Sequence, residues 1–402
     1  MPMEATDGKV KTVIEGIHYA TDERILVTLE AGKISEIHSI PKIHSIPKQE
    51  EVSLPYIAPG LVDLQINGHG GDDCDDFNTL PISEKLVEQI TSSLWKEGIT
   101  TYTPTIITNS DNAIQRAVEV IAKASKDNQH VNDCLAGIHL EGPFISPEDG
   151  PRGAHGKEYI KPPNWQLFQT WQKAANGMIK MITISPEWPS SIEFIAKCVE
   201  NDVIVSIGHT AATIEQIQKA VRAGAKLSTH LGNGAHVMLP RHPNYIWEQL
   251  AQDDLWTCII ADGFHLPDSF LKVVLRTKGV QSLLVSDAVY LSGLEPGEYE
   301  THIGGKVVLT SEGKLYLQEN PNLLAGSVKM LKDGITHLTR AKLCTLKEAW
   351  EMASIRPATF MKLPTQAGLV KGTPADLVVF KWEEKQVKIL QTYKAGTLVY
   401  SA

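Results

Sequence analysis

Cysteine is scarce and scattered in this chain. Cys74, Cys134, Cys198, Cys258 and Cys344 are odd in number, and no two form a CxxC pair. A disulfide framework or a cysteine-ligated zinc is therefore not expected, and a reducing compartment fits better. Basic charge is also short. The formal net charge of −9 argues against nucleic acid as a partner, because phosphate binding needs a concentrated basic surface. It leaves room for a small anion held by one or two local cations. No apolar run reaches membrane length, and the opening Met-Pro-Met-Glu-Ala-Thr-Asp-Gly-Lys has no apolar core of a secretory signal. The expectation is a cytoplasmic protein without a membrane partner. A glycine-rich dinucleotide fingerprint is missing after the first long apolar run, which removes the commonest use of an open doubly wound sheet.

What the chain does have is rhythm. Residues 9–58 alternate apolar and polar, as in Ile25-Leu-Val-Thr-Leu29 and Lys33-Ile-Ser-Glu-Ile37, and predict a small antiparallel β unit. A direct repeat, Ile-His-Ser-Ile-Pro-Lys at 37–42 and 43–48, reads as a duplicated surface loop, because Pro41 and Pro47 interrupt regular structure. From Tyr56 onward, apolar runs at 57–66, 99–107, 135–141, 178–184, 203–208, 226–230, 256–261 and 281–286 alternate with amphipathic stretches. The amphipathic stretches at 82–97, 111–125, 190–200, 213–223 and 267–277 predict helices, as does 345–360. Eight strands separated by helices predict a parallel sheet, and eight is the number that closes a (β/α)8 TIM-type barrel. At 402 residues, the chain has room for an α/β barrel over 57–360. A small β-sandwich from both chain ends, 1–56 with 361–402, would complete it.

Three of the apolar runs stop on a residue able to bind a metal. His139-Leu-Glu141-Gly-Pro closes run three, Ser206-Ile-Gly-His209-Thr run five, and Ser228-Thr-His230-Leu-Gly-Asn run six. In a barrel, every strand's C-terminal end faces one mouth, so Glu141, His209 and His230 converge there. One carboxylate and two imidazoles form a His₂Glu set that leaves a fourth position for water, the arrangement of catalytic zinc. A metal-dependent hydrolase is the expectation. Asp287, at the end of run eight, is placed to move a proton between an attacking water and a leaving group. Its rival role is to cap the following turn.

These motifs occur with Ala58-Pro-Gly-Leu-Val-Asp-Leu-Gln65-Ile-Asn67-Gly, Ala261-Asp-Gly-Phe-His265, Val285-Ser-Asp287-Ala and Leu324-Ala-Gly-Ser327. In this order, and over nearly the whole chain, they resemble the N-acetylglucosamine-6-phosphate deacetylases of the amidohydrolase superfamily. The resemblance implies one divalent metal ion per subunit, zinc above others, an amino-sugar phosphate as small-molecule substrate, and a homodimer. Glu141, His209 and His230 match the family's metal ligands, and Asp287 its general acid/base. Many amidohydrolases hold a second metal with a His-x-His pair on the first strand. Here Gln65 and Asn67 stand in those places, and neutral amides bind transition metals poorly. The match is therefore to a mononuclear branch.

The same resemblance assigns substrate contacts. His155, in Pro151-Arg-Gly-Ala-His155-Gly, matches a substrate-contacting histidine, with a plain surface histidine as its rival. His265 should polarise the amide carbonyl or contact the sugar; a second metal-ligand role is a further option. Asp262 is expected to hold the turn. Asn233, with the amides at Gly234 and Ala235, should hold the sugar or its phosphate. Arg241 falls where the family has a phosphate-binding arginine supplied across the dimer interface, and its forked guanidinium suits phosphate. His242 stands beside it where the family often has Glu. Deacetylation of another N-acyl amino sugar, such as N-acetylgalactosamine 6-phosphate, is the alternative within enzymes. A metal-free barrel scaffold is the alternative outside them.

Overall fold

The computed structural model describes residues 11–40, 54–70, 76–79, 81–301 and 305–402. Most of the duplicated segment, including its whole second copy, lies outside the described residues.

Eight strands form one parallel sheet in sequence order. They are β1 (Leu61–Ile66), β2 (Ile99–Ile107), β3 (Ile138–Glu141), β4 (Ile179–Ile184), β5 (Ile204–Ile207), β6 (Leu227–Ser228), β7 (Trp256–Ile259) and β8 (Ser282–Leu284). The two outer strands meet just beyond their C-terminal ends. Ile66 bridges Ala288 in parallel, the Asp287 N–H donates to the Gln65 carbonyl at 2.9 Å, and the Asn67 N–H donates to the Ala288 carbonyl at 2.8 Å. The expected barrel is thus present, and its closure carries Asp287 to the side of β1. The five helices expected between runs appear within two residues of both ends, for example Glu84–Lys96 and Asp111–Asp127. Their starts are fixed locally: Ser83 and Ser110 accept from backbone N–H groups three positions on, satisfying otherwise free donors.

Several elements depart from the expectation. The run at 57–66 is two strands, since Tyr56–Pro59 belongs to an outer sheet and only Leu61–Ile66 enters the barrel. The stretch 345–360 is two helices, Leu346–Met352 and Ile355–Phe360, parted at Ser354, whose φ of −141° is not helical. Helices at Trp165–Ala174, Tyr245–Ala251 and Leu331–Arg340 were not foreseen. Nor was the antiparallel four-stranded sheet of Gly297–Thr301, Gly305–Leu309, Leu315–Leu317 and Asn320–Leu324. It packs around its own cluster of Tyr290, Leu291, Val307, Leu309 and Leu315.

Both chain ends build one seven-stranded sheet, in which Tyr56–Pro59 lies between Thr12–His18 and Leu377–Glu383. The sheet curls on itself: the Ala375 N–H donates to the Gly32 carbonyl at 2.9 Å, and Lys33 bridges Pro374. Trp350 fastens it to the barrel side by stacking on Phe380 at 4.2 Å between ring centroids and donating its indole N–H to the Pro59 carbonyl at 2.9 Å. Among the described residues, no helix is long and apolar enough to cross a membrane.

Candidate active site

The barrel interior is layered. Val62, Leu64, Met181, Leu227, Cys258 and Leu283 form an apolar floor, with Ala358 of the last helix against it. Above the floor lie polar side chains, and at the mouth the sequence-predicted ligands. Alternation along β3 puts His139 and Glu141 on the same, inner face.

Glu141, His209 and His230 do converge. Glu141 Oε1 lies 3.2 Å from His209 Nε2 and 3.1 Å from His230 Nε2, and the two Nε2 atoms are 3.1 Å apart. Ligand atoms on one tetrahedral zinc, at about 2.0–2.1 Å from it, stand about 3.3–3.4 Å from each other. The triangle is therefore near the size that a single ion requires. The donor chemistry also fits. His209 Nδ1 lies 2.8 Å from the Pro151 carbonyl, which only accepts, so Nδ1 carries the proton and the Nε2 lone pair faces the cluster. All three side chains are buried. Burial pushes the Glu141 carboxyl up, but the imidazoles of His209 and His230 beside it outweigh that and hold the group well below its ordinary range.

Asp287 lies across Gln65 from Glu141. Its Oδ1 accepts from Asn67 Nδ2 at 2.9 Å and from Gln65 Nε2 at 3.2 Å, while Gln65 Nε2 also reaches Glu141 Oε1 at 2.9 Å. Burial, with the Glu141 charge added, raises its pKa. The amides that replace a His-x-His pair thus act as donors that aim two carboxylates. The sequence reading did not foresee that role.

His209, His230 and Asp287 share a backbone feature: φ is +48°, +23° and +49°. Non-glycine residues in this region cost of order 1–3 kcal/mol each and cluster where surrounding structure holds them for a purpose. Gly234 (φ +54°) packs so closely behind His209 that an added Cβ would lie 2.6 Å from Nδ1.

His155 is brought into the cluster. It is buried, with Nε2 3.3 Å from His209 Nε2, and with Glu141 and His209 it forms a second group able to hold a metal. Burial, with His209 close beside it, pushes it down to about 3. His265 donates through Nδ1 to the Asp262 carboxylate oxygen Oδ2 at 2.7 Å, leaving Nε2 for another contact. Asp262 holds the turn as expected, its Oδ1 accepting from the N–H groups of Phe264 and His265 at 2.8 and 2.9 Å. Asn233 Nδ2 donates to the His230 carbonyl at 3.1 Å, tying down that strand end. Ala235 is half-buried beside it. Arg241 is not drawn in. It is exposed on the loop after β6, with no hydrogen bond or ion pair among the described residues.

Over residues 56–399 the sequence matches the amidohydrolase family, and the chain belongs to that family. It is 33% identical to N-acetylglucosamine-6-phosphate deacetylase of Bacillus subtilis, covering 91% of this chain and 92% of the other. Identity to the protein of that name from Lysinibacillus sphaericus is 30%, over 94% of each. N-acetylgalactosamine-6-phosphate deacetylase of Shewanella is also 30% identical, over 86% and 84%. The crystal structure of N-acetylglucosamine-6-phosphate deacetylase from Pasteurella multocida superposes with a TM-score of 0.82 at 26% identity, covering 98% of this chain and 100% of that one.

Proposed function

We propose that the chain hydrolyses the N-acetyl group of N-acetylglucosamine 6-phosphate, giving glucosamine 6-phosphate and acetate. The observation that carries this reading is the buried triangle of Glu141, His209 and His230 with Asp287 tied to it through Gln65. Those three residues would hold one divalent ion, zinc by its taste for two imidazoles and a carboxylate. When bound, such an ion polarises a carbonyl and lowers the pKa of water.

The remaining work falls to the chain's own groups. Asp287 takes a proton from the attacking water and returns it to the departing amine nitrogen, and Asn67 and Gln65 keep its carboxylate aimed. His265, oriented by Asp262, presents Nε2 to the acetyl oxygen or the sugar. His155 contacts the substrate from the loop over the cluster. Asn233, Gly234 and Ala235 line the sugar side. Arg241 binds the 6-phosphate of the neighbouring subunit's substrate in a homodimer. Its exposure without a partner among the described residues, next to Val237 and Met238 at 88% and 85% exposed, supports a surface covered by a second copy.

Acetate release across N-acetylhexosamines, with and without 6-phosphate, tests the assignment. Preference for the galacto epimer would move it to the alternative substrate. No release from any of them would sink the deacetylase reading.

A further inference from the structure

Directly under the ligands, four polar side chains form a chain of hydrogen bonds across the barrel. His139 Nε2 lies 2.7 Å from Thr183 Oγ1, Thr183 Oγ1 lies 2.7 Å from Thr229 Oγ1, and Thr229 Oγ1 lies 2.6 Å from Ser206 Oγ. All four are buried. They come from β3, β4, the end of β6 and β5, so three of the four strands joined are those that carry Glu141, His209 and His230.

We propose that Thr229 is a positioning residue for the two metal-binding histidines, an inference that rests on the metal reading above. Thr229 directly precedes His230. Its side chain also packs on Gly208, where an added Cβ would lie 2.6 Å from Thr229 Cβ, and Gly208 directly precedes His209. One side chain thus abuts the backbone of both histidines at the point where each turns to positive φ. A backbone held away from its preferred region stays there only while its surroundings over-determine it. The Thr229 hydroxyl supplies that constraint, because bonding to Thr183 and Ser206 at once fixes its rotamer and pins the end of β6 to β4 and β5. An all-apolar layer here would pack as well but would not set these strand ends relative to one another.

The test separates the hydroxyl from packing. Thr229→Val keeps the shape and removes the hydroxyl, whereas Thr229→Ser keeps the hydroxyl. Zinc affinity is measured by chelator competition on stripped and reloaded protein, alongside the melting temperature of the stripped form. The expected result is zinc held about tenfold or more weakly in Thr229→Val, the range found when groups supporting metal ligands are lost. Thr229→Ser should stay near the parent. Equal affinity in Thr229→Val and parent, or equal loss in the two variants, would overturn the proposal. So would a loss of affinity that merely tracks a lower melting temperature. Should Thr229→Val not fold, Ser206→Ala removes one of the two bonds without adding bulk, and unchanged affinity there would be equally decisive. A parent that takes up no zinc would instead remove the metal reading on which this stands.

Discussion

Glu141 and Asp287 share one amide group: Gln65 Nε2 lies 2.9 Å from Glu141 Oε1 and 3.2 Å from Asp287 Oδ1. Two carboxylates this close repel each other, and the shared N–H donor offsets that repulsion. Gln65→Leu should therefore lower kcat/KM by about 10–100-fold, since a hydrogen bond to a charged group contributes about 1.5–3 kcal/mol and each 1.4 kcal/mol is tenfold. Steady-state kinetics at saturating metal check this. A variant as active as the parent would reduce Gln65 to packing.

His209→Ala and His230→Ala should each lose metal and activity together, because a three-ligand site cannot spare an anchor. Elemental analysis of purified protein decides the matter. Full occupancy in both variants would mean that the ligand set is elsewhere, with His155 the first residue to examine.

Asp287→Asn should keep fold and metal while kcat falls roughly 10²–10⁴-fold, the span for removing a positioned acid/base. Near-parental turnover would assign the proton transfers to another group.

Arg241→Ala should narrow the preference for the 6-phosphate over the plain sugar by about tenfold or more, from the loss of a charge-assisted bidentate contact. The already poor activity on the unphosphorylated sugar should barely change. If both substrates respond alike, Arg241 does not hold the phosphate.

His69 gives a pH signature. It is buried beside Ser93, and burial, with help from Lys332, pushes it down to about 4 from its ordinary 6.5. Between those values the unfolded chain binds a proton that the folded chain does not. Stability contributed by neutral His69 is thus full above about pH 6.5 and is lost as pH falls toward 4, by about 1–3 kcal/mol. Denaturant melts of parent and His69→Gln at several pH values should show a shallower acid slope in the variant. Parallel slopes would rule His69 out as the source.

The sequence made the barrel legible because its strands are buried on both faces and read as unbroken apolar runs, each ended by a turn. Glu141, His209, His230 and Asp287 were legible because each ends such a run. Gln65 and Asn67 were seen only as missing histidines. Their hydrogen bonds depend on β1 meeting Asp287 across the closure, a contact between distant segments that local pattern does not encode. Thr183, Ser206 and Thr229 gave no signal, because buried hydroxyls in β-rich runs look like ordinary strand formers. The sheet at 297–324 escaped because its strands bury little: Gly297–Thr301 has no fully buried residue and Leu315–Leu317 only one, so no unbroken apolar run marks them.

The position of Tyr56–Pro59 in the outer sheet bears on how the chain is made. One of its neighbours, Thr12–His18, emerges early, but the other, Leu377–Glu383, pairs Ala58 with Val378 from the opposite end of the chain. During synthesis, the strand that feeds directly into the barrel therefore waits with one edge unpaired until Leu377–Glu383 has been made. Unpaired edges of this kind recruit other strands. The interval before Leu377–Glu383 arrives thus leaves that edge open to pairing with strands of other chains.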